Sequence, residues 1–453
     1  MFIGRQQELN AIKQILTRPS GSVLIYGKRK IGKTTLILEA LKNSSNKTIY
    51  YECLKTSLED NIEGFVSILL NNNILPVRIK FLSFQDVFKY LNTLGETFNI
   101  VIDEYPYLKQ FVRSETIDSI FQTIIDNNLA NIRLFLSGSH VGMMKDLLDE
   151  KNALYGRFSL IINLKELNYK EASAFYLDKN SYEKVGFYAV FGGSPYVCEQ
   201  LDNKSNLREN IIKIILNHLS SVYAYADNLL ISDLTNSINA ERIFLAIGNG
   251  KKKYSEIEGR VGLASNGLLS KHLKGLLSMD MIKKVYPINR PNDSKKTSYE
   301  LTDNLLRFWY TYIYKNKGTL QVLGAEAFYD NYIAPTITNF ISYRFEDIVR
   351  IYFSLEVREG RRKGILDIGS YYYDDSYNKT NGEFDVALKR KGGYDIYEVK
   401  YLKSPLKDNT MREEEKQIRA IKGFNVLKIG FVSINGFEKK PLEYECIDGD
   451  MLY

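Results

Sequence analysis

The stretch GSVLIYGKRKIGKTTLILEA, residues 21–40, constrains the fold of this chain more than any other segment. Val23, Leu24 and Ile25 make a short apolar strand. Gly27 to Thr34 then fits G-x-x-x-x-G-K-[ST], and an apolar helical pattern runs from Leu36 to Leu41. Strand, glycine loop and helix in that order predict an α/β domain built around a phosphate loop. Gly27 and Gly32 let the backbone wrap close to phosphate oxygens. Successive N–H groups and the helix N-terminus attract the anion. Lys28, Arg29, Lys30, Ile31 and Thr35 complete the wrap, Lys33 reaches the β and γ phosphates, and the Thr34 hydroxyl can hold Mg²⁺.

A second strand, FNIVIDE, follows at residues 98–104. Ile100, Val101 and Ile102 read as fully buried, and Asp103 and Glu104 end the run. Asp103 would hold Mg²⁺ through water, and Glu104 would orient or deprotonate the attacking water. The plain alternative is two solvated carboxylates opening a loop. A third strand, IRLFLSGS, ends at Ser137 and Ser139, where a hydroxyl can touch the γ-phosphate or simply start a turn. Beyond it, Arg157 in LYGRF is a candidate for sensing or stabilising transferred phosphate, in cis or from a neighbouring chain.

With these pieces in hand, the chain resembles the archaeal-type ATPases of the STAND and AAA+-related P-loop group. The resemblance rests on FIGRQQEL (2–9), GKRKIGKTT (27–35), VIDEYPYL (101–108), LSGSHVGMM (136–144), LYGRF (154–158) and GGSPYV (192–197), and spans most of residues 1–235. It implies ATP and Mg²⁺ binding in a three-layer α/β domain, followed by a helical lid. It also implies that Arg5 lies near the nucleotide.

Composition narrows the rest. The 453 residues suffice for two to four domains, and 44% apolar with 25% charged content is ordinary for a globular protein. No apolar run reaches eighteen residues, and the start MFIGRQQELN lacks the features of a leader, so no membrane contact is expected. Cys53, Cys198 and Cys446 stand far apart, which predicts a reduced, cytoplasmic protein without a Cys/His zinc site. A net charge of +7 permits nucleic-acid contact without demanding it.

Between residues 241 and 286, Ile243, Phe244, Ile247, Ile257, Leu268, Leu269, Leu273, Leu276 and Leu277 recur at helical spacing. Two strand-like pieces, MIKKVYP and KTSYELT, then flank the polar loop NRPNDSKK. Three helices and a basic two-stranded wing predict a winged helix-turn-helix. Its candidate recognition helix, Ser265 to Leu277, carries Ser270, Lys271, His272 and Lys274, and the wing adds Arg290, Lys295 and Lys296. Such modules also serve as spacers or protein docking sites. The resemblance extends to this arrangement and to the phrase LTDNLLRFWYTYI (301–313), whose aromatics, Trp309 among them, read as core.

The C-terminal part holds the second chemical signal. GEFDVALKRKGGYDIYEVKY, residues 382–401, alternates about a Gly-Gly turn and predicts an antiparallel hairpin. Folding it about Lys391 sets Asp385 opposite Glu398, with Lys400 on the face of Glu398. The preceding helix YRFEDIVRIYFSL places Glu346 beside its apolar stripe. A Glu-bearing helix, an Asp-bearing strand and a Glu-x-Lys strand match the PD-(D/E)xK nuclease core, to which the resemblance also points. There Asp385, Glu398 and Glu346 would ligate Mg²⁺ and Lys400 would position water. Glu-x-Lys recurs at Glu414–Lys416 and Glu438–Lys440, so only the hairpin geometry singles out Glu398. The bland reading is a salt-bridged pair on a solvated sheet.

The expected architecture is therefore an α/β P-loop ATPase core (1–160), a helical lid (161–235), a winged helix-turn-helix (236–315) and a C-terminal α/β restriction-endonuclease-like domain (316–453). The expected function is a Mg²⁺-dependent ATPase whose C-terminal domain contacts or cleaves DNA. The competing expectation is a signalling or scaffold ATPase with an inactive nuclease-like domain that binds a protein partner or a second copy of the chain.

Overall fold

The structure, a computed structural model, describes residues 2–110, 114–228, 237–262, 267–375 and 380–453. The chain divides into two compact units: Met1–Glu166 with Ser194–Tyr196, and Leu167–Gly193 with Val197–Tyr453. The segments read from sequence as winged module and C-terminal domain thus fall in one unit, together with most of the expected lid, whose residues 161–166 and 194–196 belong to the first unit. The expected boundary at 235/236 lies outside the described residues.

The first unit is built on five strands: β1 (Gly21–Tyr26), β2 (Lys47–Glu52), β3 (Phe98–Asp103), β4 (Ile132–Gly138) and β5 (Leu160–Asn163). They are all parallel, in the order β2-β3-β4-β1-β5. Helices such as Lys33–Leu41, Leu58–Asn71, Phe84–Thr93 and Ser114–Asn127 supply the crossovers, and helix Gln6–Leu16 precedes β1. Alternate residues of β1 enter different cores. Val23 and Ile25 join Leu36, Ile37 and Phe135, whereas Leu24 and Tyr26 join Ile49, Phe65 and Leu134. A sheet covered on both faces favours apolar residues on both sides of its central strands, which is why the middles of β1, β3 and β4 read as apolar runs, with Asn99 and Arg133 buried as a bonded polar pair. The three-layer α/β expectation holds.

The second unit contains a small three-stranded sheet and a larger mixed one. In the first, β6 (Lys252–Lys253), β7 (Ile282–Val285) and β8 (Ser298–Leu301) pair antiparallel in the order β6-β8-β7. Helices Ser237–Ile247, Tyr254–Val261 and Leu268–Ser278 accompany it. Ile243, Phe244, Ile247, Ile257, Leu269, Leu273 and Leu276 are buried as expected, but Leu268, at the helix start, is exposed. Ser265, the expected start of that helix, lies outside the described residues. The phrase around Trp309 is core, with the indole fully buried against Tyr223.

The larger sheet runs β13-β12-β11-β10-β9, comprising β9 (Asp367–Asp375), β10 (Thr380–Arg390), β11 (Gly393–Lys400), β12 (Val426–Ser433) and β13 (Glu445–Asp448). β9, β10 and β11 are antiparallel, and β11, β12 and β13 are parallel. The β10–β11 turn is Lys391-Gly392, with Gly392 at φ 91°, a region other residues rarely adopt. The strands pair from Arg390↔Gly393 to Val386↔Tyr397, which confirms the hairpin and leaves Asp385 and Glu398 as the next residues on the two strands. Helix Ile337–Arg358 precedes this sheet and buries Phe345, Ile348, Val349 and Phe353, and helix Asp408–Ala420 crosses between β11 and β12.

Candidate functional site

The phosphate-loop residues form a folded cradle at the carboxyl end of β1. Gly27 must be glycine for steric reasons, because a Cβ there would stand 2.3 Å from the Leu164 carbonyl oxygen. Gly32, at φ 88°, starts helix Lys33–Leu41 from the left-handed region. Lys30 also has positive φ, 62°, and its ammonium sits 3.6 Å over the Tyr196 ring. The Ser194 hydroxyl donates to the Lys30 carbonyl at 3.2 Å. Ile31 is buried, and its carbonyl accepts from the Arg5 guanidinium at 3.3 Å. Arg5 therefore lies against the loop. Arg29 reaches Tyr107 at 3.1 Å. Lys33 is buried, and its Nζ donates to the carbonyls of Gly27 and Lys28, both at 3.0 Å. The Lys33 ammonium thus spans the loop that its N–H groups line. Thr35 is exposed.

The carboxylates of β3 meet this loop. The Thr34 hydroxyl donates to Asp103 Oδ2 at 2.7 Å, and Tyr50 OH donates to the same oxygen at 2.7 Å. The next residue, Glu104, sits at φ 52°, uncommon for a side-chain-bearing residue and characteristic of sites that hold strain. Its Oε2 accepts from the Ser139 hydroxyl at 2.8 Å and from the Ser139 N–H at 3.1 Å. The following turn is fixed by a buried pair, Lys109 to Asp118 at 2.7 Å, with Tyr105 OH also donating to Asp118 at 2.8 Å. The Ser137 hydroxyl, fully buried, has no hydrogen-bond partner among the described residues. Burial, together with Asp103 and Glu104, pushes the Cys53 thiol far up, so it stays protonated and inert.

One expectation is corrected here. Arg157 is not brought to the loop within the chain. Its backbone carbonyl accepts from Ser22 at 2.6 Å, at the amino end of β1, and its side chain pairs with Asp126 at 3.0 Å. Ser22 and Gly27 are five residues apart along an extended strand, about 16 Å. Arg157 therefore lies at the end of β1 away from the loop.

The C-terminal cluster gathers the predicted side chains more loosely. Burial and the charge of Asp385 push Glu346 up to about 8 and Glu398 up to about 7. Burial also raises Asp385, against the opposing pull of Lys400 and Arg350. These shifts mark three carboxylates sharing one low-dielectric site. Lys400 Nζ stands 2.8 Å from Glu414 and 3.5 Å from Glu398. Burial works against its charge, but the hydrogen bond to Glu414 and the surrounding carboxylates raise its pKa. Arg350 donates to the Asp385 carbonyl at 2.6 Å and to Asp347 at 2.8 Å. Among the described residues, no group of three or more His, Cys, Asp or Glu is spaced to hold a metal ion. The expected ligand set Glu346, Asp385 and Glu398 is thus brought near one place without reaching ligand spacing in this state.

The wing expectation also changes in detail. The loop after β7 is tied to β9: Ile288 N donates to Ser370 O at 2.8 Å, Asn289 bonds Tyr372, and Lys296 lies 3.6 Å over the Tyr372 ring. Lys296 is therefore engaged within the protein, whereas Ser270, Lys271 and Lys274 are exposed. His272 is shielded and bonded to Asn239 at 3.1 Å.

Sequence reading missed Tyr50, Tyr107 and Tyr196, which all reach the loop region. Only their positions on β2, after β3 and in the GGSPYV phrase could have suggested them.

Residues 2–201 match an ATPase domain found predominantly in Archaea. Residues 309–418 match a family of archaeal and bacterial proteins of unknown function. The chain is 28% identical over 355 residues to an uncharacterized protein of Methanocaldococcus jannaschii, covering 77% of this chain and 76% of that protein. Its fold is similar to that of a Walker-type ATPase of Pyrococcus abyssi, with a TM-score of 0.52, 19% identity, and coverage of 68% of this chain and 96% of the other. Among the described residues, no helix is long and apolar enough to cross a membrane.

Proposed function

We propose that the first unit binds ATP with Mg²⁺ and hydrolyses it. The observation that carries this reading is the 2.7 Å contact between the Thr34 hydroxyl and Asp103, with Glu104 as the next residue. Oxygen donors from a loop Thr and a strand Asp suit a hard cation such as Mg²⁺, which usually keeps several waters. The loop suits a triphosphate as well, since Gly32 opens helix Lys33–Leu41 from a φ of 88° and Lys33 is held across the loop. When bound, Mg²⁺ would neutralise charge on the phosphates. The residues of the chain divide the remaining work. Backbone N–H groups of the loop hold the phosphates, Lys33 leaves its two carbonyls for phosphate oxygen, and Glu104 polarises the attacking water after parting from Ser139. The match to an archaeal ATPase domain supports this reading. The test is steady-state phosphate release by the wild type beside Lys33→Ala and Glu104→Gln. Equal turnover in all three would refute it.

For the second unit, we propose a winged-helix module and a nuclease-like domain that contacts DNA. Support comes from three helices joined to a small antiparallel sheet, and from Asp385, Glu398 and Lys400 facing one another beside Glu346. Metal-dependent cleavage of plasmid or single-stranded DNA, lost in Asp385→Ala and Lys400→Ala, is the expected result. One observation favours the competing reading of an inactive domain in a signalling or scaffold ATPase. Lys400 is bonded most closely to Glu414, and the carboxylates are not at ligand spacing. No cleavage with either Mg²⁺ or Mn²⁺ would decide for that reading.

A further inference from the structure

Within the second unit, a cavity of about 500 Å³ opens between the small sheet and helix Ile337–Arg358. That size is typical of small-ligand sites, which run from about 300 to 1,000 Å³. One wall is basic, with Lys251 and Lys252 before and on β6, and Lys283 and Lys284 on β7. The opposite wall carries Arg344 and Arg350 from the helix.

The acidic side chains of the cavity are largely engaged. Glu300 takes Lys283 at 2.9 Å, Asp347 takes Arg350 at 2.8 Å, and Glu383 takes Lys251 at 2.7 Å. Asp367 accepts from the N–H of Ile368 at 2.8 Å. Lys252 and Lys284 have no carboxylate partner among the described residues, so their charge is available to a ligand. Two aromatic rings complete the lining: Tyr286 is 42% exposed and Tyr343 is 63% exposed. Exposed tyrosine rings offer faces on which a nucleobase can stack. Glu346 lines the cavity too, and its carboxyl senses the charge of Asp385. The cavity therefore adjoins the carboxylate cluster.

We propose that this cavity holds a segment of single-stranded DNA, with Lys252 and Lys284 on backbone phosphates and Tyr286 and Tyr343 against bases, and leads the strand to the carboxylates. The proposal rests on the reading of the second unit as DNA-contacting and names its substrate as a single strand. Free cationic side chains with interleaved aromatic faces recognise a phosphate-linked base, and a cavity of nucleotide size excludes a paired duplex. A free nucleotide shares that chemistry, and the experiment separates the two.

The test uses the full chain in EDTA, with fluorescence anisotropy of a labelled oligothymidylate, the same sequence as a duplex, and thymidine monophosphate as a separate ligand. Wild type is compared with Lys252→Ala/Lys284→Ala, and thermal melting checks that the variant folds. We expect single-strand binding to weaken roughly tenfold, and the slope of log affinity against log salt to fall by about 1.4, because each lost phosphate contact on a single strand removes about 0.7. Tyr343→Ala should weaken binding with no change in that slope. Strand binding that is unchanged in the folded double variant overturns the cavity assignment, even if Asp385-dependent cleavage confirms the DNA reading. Duplex binding equal to single-strand binding, or monophosphate binding within tenfold of the strand, also overturns it. Absence of binding to any DNA refutes both the proposal and the reading on which it rests. Lysine-dependent strand binding without cleavage upholds the cavity and refutes the nuclease activity alone.

Discussion

Replacing Glu346 by Gln should stabilise the protein at alkaline pH and leave it nearly unchanged at acidic pH. Burial and Asp385 lift this carboxyl from 4.5 to about 8. Each tenfold change in proton affinity is worth ~1.4 kcal/mol, so the displacement of 8 − 4.5 corresponds to about 5 kcal/mol between the folded states with and without the proton. Below pH 4.5 the folded and unfolded chains both hold the proton, and the residue contributes no difference. Between 4.5 and 8 the folded chain binds the proton more tightly than the unfolded one, so stability falls as pH rises. Above 8 the folded chain carries the ionised carboxylate and the full penalty. Glu346 side chain is 23% exposed, and solvent screening brings the expected gain to about 2–4 kcal/mol. Urea unfolding of wild type and Glu346→Gln at pH 5 and pH 9, followed by the fluorescence of the sole tryptophan, Trp309, would measure it. A variant equally destabilised at both pH values would refute the account and mean that Glu346 is retained for its hydrogen bonds and packing. A gain at pH 9 would mark a site where stability is sacrificed to keep carboxylates together, as active sites commonly do.

Other expectations follow from the same geometry. Glu104→Gln should lower ATP turnover by about 100-fold or more while nucleotide binding, followed with a fluorescent analogue, is retained, since proton handling by a positioned carboxylate is worth about that much. Ser139→Ala should lower kcat with little effect on KM, because its hydroxyl donates to Glu104, the residue that would orient the attacking water. Arg157→Ala should leave turnover of dilute protein within twofold of wild type, because the side chain pairs with Asp126 at the amino end of β1. A large loss that grows with protein concentration would instead show that a neighbouring chain uses it. Arg307→Ala should cost about 1.5–3 kcal/mol in urea unfolding, since it removes charged hydrogen bonds to Glu300, at 3.0 Å, and Asp347, at 3.1 Å, while Lys283 and Arg350 still compensate the two carboxylates.

The contrast between the two candidate sites shows what local pattern carries and what it does not. A phosphate loop is contiguous: glycines, lysine and threonine occupy adjacent positions, and the flanking apolar runs announce the strand and helix that present them. The hairpin is nearly as local. A two-residue turn and period-two alternation fix its register, so the hairpin that carries Asp385 and Glu398 could be read from residues 382–401 alone. Strand β3 was legible for a related reason, since burial on both faces leaves Ile100, Val101 and Ile102 as consecutive apolar residues.

Long-range partners were not legible. Nothing near Glu104 in the chain points to Ser139, thirty-five residues away, whose hydroxyl holds its carboxylate. Nothing near Asp103 points to Tyr50, and nothing near Lys30 points to Tyr196, 166 positions on. Arg157 is the converse case: its sequence context suggested the nucleotide, but a parallel sheet has two ends, and only the path of the chain assigns residue 157 to the end away from the loop. The cavity beside Glu346 likewise draws its lysines from β6 and β7 and its arginines from a helix some sixty residues later. Local patterning specifies elements, turns and the chemistry carried on one contiguous loop, because those follow from backbone geometry and side-chain periodicity. Which charges end up compensated, which carboxylates share one dry site and which cations stay available depend on how the elements meet, and that is settled by packing the whole chain at once.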